Sequence, residues 1–154
     1  MGQNAEKELM SSEDLLYFYN AMAKGKTILN KERFGLTIDR LCHSLIEKHD
    51  DFSNTCIIGI QQKGVLFANR VIGRLKAINK KTEVKYGKLD ITFFRDDFRT
   101  RETPLKASTT EIDFLLEGKD VILMDDVLYT GRTIHAAISA LQQFGRPRSI
   151  EIIG

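Results

Sequence analysis

Proline and cysteine are scarce here, two of each in 154 residues, and each scarcity excludes something. So few prolines, with 42% apolar and 29% charged residues, rule out a low-complexity or disordered class. Cys42 falls in a helical pattern and Cys56 in a strand pattern, with no CxxC and no Cys/His cluster. Neither a disulfide scaffold nor a zinc site is expected from them; two buried, reduced thiols are. Long apolar runs are also lacking. The most apolar N-terminal stretch, Leu15 to Tyr19, is too short to span a membrane and follows an acidic lead, so neither an anchor nor a signal peptide is expected. The chain reads as cytoplasmic. A net charge of +2 neither demands nucleic acid nor excludes it, because a local patch can bind while the total stays small. Internal repeats are absent. Gly25-Lys26-Thr27 does not make a P-loop, because Asn20 stands where the first glycine would be.

What remains has the size and pattern of one α/β domain. Residues 1–25 are polar around Glu6-Lys7-Glu8 and Ser11-Ser12-Glu13-Asp14, with Ser12 placed to cap a short helix through Tyr19. They read as a flexible extension or an over-called start, with Met22 as an alternative initiator. Asn30 is placed to cap a helix running to about His49, with Phe34, Ile38, Leu41 and Leu45 on one stripe and Arg40, His43 and Glu47 on the other face. Thr55 to Ile60 is a short continuous apolar run, the mark of a strand buried on both sides. Gln61-Gln62-Lys63-Gly64 then turns into a helix with Phe67, Val71, Leu75 and Ile78 inward. A long strand is expected around Gly87 to Phe94, with Leu89, Ile91 and Phe93 on one face. Residues 95–117 are a charged connection of a length that is commonly functional in a compact domain. A strand over 119–124, a helix over about 131–144 and a strand from Ser149 complete the pattern. Alternating strands and helices imply a mostly parallel central sheet flanked by helices.

The stretch Val121 to Thr133 is where the chemistry concentrates. An apolar strand ends in Asp125 and Asp126, and Thr130-Gly131-Arg132-Thr133 opens the next helix. Ligands of open α/β sheets collect at the carboxyl ends of the strands. A turn opening a helix offers backbone N–H groups and the positive dipole end, which suit a phosphate. Two carboxylates suit ribose hydroxyls, or a Mg²⁺ that carries a diphosphate. Either pair alone is ordinary turn chemistry. Together they describe a site for a sugar with phosphates at both ends.

This joint pattern resembles the phosphoribosyl diphosphate (PRPP) motif of type I phosphoribosyltransferases. From about Lys26 to Gly154 the sequence is similar to the pyrimidine operon regulator/uracil phosphoribosyltransferase family, PyrR. Asp90-Ile91-Thr92, Arg95-Asp96-Asp97, Asp125 through Thr133 and Gly145-Arg146-Pro147 carry the likeness. It implies a type I fold with a flexible hood loop, in which Arg95 and residues 96–110 close over the site. It also implies transfer of phosphoribosyl from PRPP to uracil, giving UMP and diphosphate, with Mg²⁺ required. The transition state would carry oxocarbenium character. Asp125 and Asp126 would hold ribose and metal, Thr130 to Thr133 the 5′-phosphate, and Val127, Leu128 and Tyr129 the turn between them. Tyr129 stands where purine-specific relatives generally place an acidic base, which argues for a pyrimidine. Gln62-Lys63-Gly64 would cradle the diphosphate; the family usually reads Thr-Arg-Gly there, and lysine keeps the charge without the bidentate fork.

The same resemblance implies a second class of function, UMP-dependent binding of pyr leader mRNA with little catalysis. Arg40, His43 and Lys48 align with family basic positions, but Asp39 stands where regulatory members commonly have Thr and would oppose RNA phosphate. A catalytically silent nucleotide-binding paralogue is a third reading, disfavoured by the intact motif. Self-association as a homodimer or higher oligomer is implied too. The family pattern continues past Gly154 with a base-holding loop reading roughly Asp-Arg-Gly-His-Arg. On that basis the domain over 26–154 reads as C-terminally incomplete, and a chain of these residues is expected to bind PRPP weakly, to aggregate and to make negligible UMP.

Overall fold

The computed structural model describes residues 28–94 and 109–154. The expected Ser12-capped helix, Arg95 and most of the 95–117 connection lie outside the described residues. The chain forms two compact units, Met1–Gly35 and Leu36–Gly154. Of the first, the described part is the entry to helix α1 (Lys31–His49). Asn30 caps that helix as its sequence position suggests, accepting from the Arg33 N–H through Oδ1 at 2.8 Å.

The second unit follows the alternating pattern: β1 (Thr55–Ile60), α2 (Lys63–Ile78), β2 (Lys85–Leu89), β3 (Asp120–Met124), α3 (Arg132–Leu141) and β4 (Ser149–Ile153). The strands form one sheet in the order β2-β1-β3-β4, and every pairing is parallel. β1 and β3 sit in the middle, and every residue of both is buried. That explains why they read as unbroken apolar runs, since each has a layer on both faces. One face carries Cys56, Ile58, Ile60, Val121 and Leu123 against Ala136, Ala137, Ala140 and Leu141 of α3. On the other face α2 packs on β1. Its small and branched residues Gly64, Val65, Ala68, Val71, Ile72 and Leu75 are the buried ones. The stripe expected on α2 is thus right at Val71 and Leu75 and shifted elsewhere, because Phe67 and Ile78 are only half-buried.

β2 departs most from the sequence expectation. It begins at Lys85 and ends at Leu89, and Thr92–Phe94 is a 3-10 turn rather than strand. Asp90 is the cause. Its Oδ1 accepts from the Thr92 N–H at 2.8 Å and from the Thr92 hydroxyl at 2.5 Å, a local bond that competes with strand pairing. The Phe94 N–H then reaches the Ile91 carbonyl at 2.9 Å. The alternation that would bury Phe93 is broken, so Phe93 is 68% exposed and Phe94 packs on the core instead. The far limb of the connection returns beside β2, where Lys88 and Glu111 exchange backbone hydrogen bonds of 2.9 and 2.8 Å.

Below the sheet, at the amino ends of the strands, polar groups are tied together. Asp120 accepts from Arg148 and, at 2.6 Å, from the Ser149 hydroxyl. Those bonds hold its carboxyl at about 2, below the usual value. His49, the last residue of α1, is tied to the sheet. It lies between the Thr55 hydroxyl (3.1 Å) and Glu151 (3.0 Å) and packs on Phe52. Lys48 also reaches Glu151, at 2.8 Å. Both cysteines are buried, and burial pushes each thiol up to about 11.

Candidate active site

Three neighbouring strands deliver their carboxyl ends to one mouth: β2, β1 and β3. A cleft of about 760 Å³ opens there, a size suited to a small ligand. Ile60, Gln61, Gln62 and Lys63 line it from the β1 side, Asp90, Ile91 and Thr92 from β2, and Asp125, Asp126, Val127 and Thr133 from the β3 side.

The acidic pair is asymmetric. Asp125 is 8% exposed, and its N–H continues the sheet to the Ile153 carbonyl at 3.0 Å. Its Oδ1 accepts from the Asp126 N–H at 2.9 Å. Burial, with the neighbouring Asp126 charge adding, holds its carboxyl above the usual range. Asp126 stands at the surface of the cleft, with its Oδ2 3.5 Å from the Lys63 ammonium. Among the described residues, one carboxylate is therefore enclosed and short of positive partners, and the other is open and paired.

The opposite wall is the turn from β1 into α2. The Gln61 N–H bonds the Leu89 carbonyl at 2.8 Å, and the Gln61 side chain donates to the Thr109 carbonyl at 2.9 Å. The Gln61–Gln62 peptide bond is cis. Gly64 is what lets this wall close on β3. A Cβ there would overlap the Met124 carbonyl oxygen and come within 3.0 Å of the Asp125 Cα. Only glycine allows the turn and the acidic pair to approach so closely.

Gly131 sits at φ 78°, ψ −6°, the left-handed region, at the N-cap of α3, with no side-chain cap bond. A residue with Cβ is rare in that conformation. The His135 N–H to Gly131 carbonyl bond of 2.9 Å starts the helix. Thr130 reaches the Arg132 N–H only at 3.5 Å. The first turn of α3 therefore presents backbone N–H groups beside the cleft.

The structure brings Gln62, Lys63, Asp125, Asp126, Val127 and Thr133 to one cleft, with Gly64 buried beneath them. Leu128, Tyr129, Thr130 and Gly131 form the exposed turn into α3 and Arg132 is that helix's exposed first residue; none of them is among the lining residues. Tyr129 is 91% exposed. Arg95 lies outside the described residues. Sequence reasoning passed over Gln61, Asp90 and Thr92 as lining residues. The available signal was topological: a strand parallel to β1 must end at the same mouth.

On α1, Arg40 and His43 are exposed, whereas Lys48 is engaged by Glu151. Asp39 does not stand as an isolated anion. Arg74 grips both its oxygens, one through Nη2 at 2.9 Å, and holds its carboxyl below the usual range. Among the described residues no group of three or more His, Cys, Asp or Glu is arranged to hold a metal. No helix among them is long and apolar enough to cross a membrane.

A family model described as the phosphoribosyl transferase domain matches residues 24–153. The chain is 46% identical over 129 residues to the bifunctional protein PyrR of Elusimicrobium minutum, covering 82% of this chain and 70% of that one. It is 41% identical over 132 residues to the bifunctional protein PyrR of Pelotomaculum thermopropionicum, covering 85% and 72%. Among solved structures it is similar to a hypoxanthine phosphoribosyltransferase from Staphylococcus aureus, with a TM-score of 0.59. The match covers 83% of this chain and 65% of that one at 21% identity, a likeness of fold alone.

Proposed function

The chain belongs to the PyrR family of phosphoribosyltransferases, and from that premise we propose that it binds PRPP and transfers its phosphoribosyl group to uracil, releasing diphosphate and giving UMP. The observation that carries this reading is the pairing of Asp125 and Asp126 on one wall of the cleft with the Gln62-Lys63-Gly64 turn on the other. A substrate with a ribose between two phosphate groups needs both walls, and a plain nucleotide pocket needs only one.

Cleavage of the anomeric C–O bond leaves positive charge on the sugar and negative charge on the departing diphosphate. Asp125 and Asp126 accept from the ribose hydroxyls and lie on the side where cationic character builds. Lys63 takes charge from the leaving group. The N–H groups at the start of α3, with Thr133, hold the 5′-phosphate. Enclosure of Asp125 strengthens its interactions by lowering the local dielectric.

Mg²⁺ fits this donor set when the substrate brings it. Two carboxylates, one of them buried and the other at the surface of the cleft, are the usual protein share for a magnesium whose other ligands are phosphate oxygens and water. A resident cage is not what these residues offer. The ion, when bound, would neutralise the diphosphate as it leaves.

A regulatory role through RNA is a second reading, and one observation favours it. Because Arg74 neutralises Asp39, the carboxylate that would repel RNA beside Arg40 and His43 is already paired. Lys48 is turned to Glu151 instead, which leaves the α1 surface few cations for phosphate, so we expect the binding to be weak at cellular salt.

Uracil-dependent release of diphosphate from PRPP by the protein tests the transfer, with hypoxanthine as the purine control. Release with uracil alone is the expected result. Release with hypoxanthine, or with neither base, would contradict the reading.

A further inference from the structure

Lys63 makes a contact that phosphoribosyl transfer does not by itself require. It is the first residue of α2, on the turn assigned to diphosphate, yet its ammonium lies 3.5 Å from Asp126 Oδ2 on the opposite wall. Among the described residues it is the ion pair that joins two lining residues of the cleft. The cation that the leaving group needs is thus resting on a carboxylate that the sugar needs. Asp125 shares that role but cannot fill it alone, being buried with its Oδ1 already accepting from the Asp126 N–H.

Resting on the PRPP reading above, we propose that Lys63 is an exchangeable internal counter-ion and a specificity-determining residue of the site. A ligand that carries a diphosphate draws Lys63 off Asp126, because several phosphate charges outcompete one exposed carboxylate for it. Asp126 is thereby released to the sugar hydroxyls, and recognition at the two ends of the ligand becomes coupled. A ligand with only a 5′-phosphate must break the pair and leave Lys63 without a replacement. Lysine suits this exchange. Its single point charge on a flexible stem serves one anion at a time, whereas an arginine fork can hold two acceptors together. The Lys63 side chain is 78% exposed and so can swing without disturbing the core.

The test is calorimetric titration of wild type, Lys63→Met, Asp126→Asn and Lys63→Met/Asp126→Asn with PRPP and separately with ribose 5-phosphate, at fixed Mg²⁺. Losing one charge-assisted contact should weaken PRPP by about 10–100-fold in Lys63→Met. Ribose 5-phosphate should bind about 2–5-fold more tightly, as expected when an exposed ion pair no longer has to be broken. In the Asp126→Asn background that gain should vanish. Unchanged melting temperature checks that the variant folds. Parallel weakening of both ligands by Lys63→Met would overturn the exchange while leaving PRPP binding intact as a reading. Failure of the wild type to bind PRPP would remove the reading itself, and the exchange with it.

Discussion

Replacing Gly64 by alanine puts one methyl group where two backbone segments already touch. The added Cβ would overlap the Met124 carbonyl oxygen, with the Asp125 Cα at 3.0 Å and the Met124 carbonyl carbon at 3.2 Å. These are backbone atoms at the end of a strand whose residues are all buried, so no flexible side chain is there to give way. Over-packing of this kind costs about 1–3 kcal/mol, which for a domain of this size lowers the melting temperature by roughly 2–12 °C. The wall carrying Lys63 must also move away from Asp125 and Asp126, so PRPP affinity should fall further than stability alone explains. Gly73 is the control on the same helix. Nothing lies within 4 Å of a Cβ placed there, and Gly73→Ala should stabilise by about 0.5–1 kcal/mol through helix propensity. Thermal melts of the two variants, with PRPP titrations beside them, check the reasoning. If Gly64→Ala melts with or above wild type, the close approach of the turn to β3 is not what shapes the cleft.

Asp120 should make the fold acid-sensitive. Its folded value of about 2 lies below the ordinary 3.8, so its contribution is complete above about 3.8 and is lost as pH falls through about 2. Denaturant melts of wild type and Asp120→Asn should therefore differ at neutral pH and converge near pH 2. Cys42 and Cys56, with thiols raised to about 11 by burial, should stay unreactive toward a thiol-reactive dye at pH 8 in the folded protein, where roughly one part in a thousand is thiolate. Both should react on unfolding in denaturant.

The parts of this molecule that were legible in its sequence are those where neighbours in the chain decide the outcome. β1 and β3 are buried on both faces, so each reads as an unbroken apolar run, and the turn after β3 announces itself through Asp125-Asp126 and Thr130-Gly131. Asn30 as a cap is equally local. What the sequence left hidden has local and remote causes. At Asp90 a side chain captures the Thr92 N–H and ends β2 early, an outcome that alternation through Leu89, Ile91 and Phe93 does not foretell. Asp39 finds Arg74 and His49 finds Glu151, partners that become neighbours only when the sheet assembles. Gly64 was legible as part of the diphosphate turn, but its close approach to β3 was not, because the strand it touches lies far along the chain. The cleft's β2 wall, Asp90 and Thr92, needed the parallel strand order as well.

The central claim is that Asp125 and Asp126 recognise the sugar and metal of PRPP, and the direct measurement is calorimetry with PRPP and Mg²⁺ on wild type and Asp125→Asn/Asp126→Asn. The variant should fold and melt no lower than wild type. An amide side chain at position 125 keeps an acceptor for the N–H of the next residue, and burial already opposes the Asp125 charge. Its affinity for PRPP should drop by about 100-fold or more, the loss of two or more hydrogen bonds to charged groups. Equal affinity in the two proteins would contradict the claim.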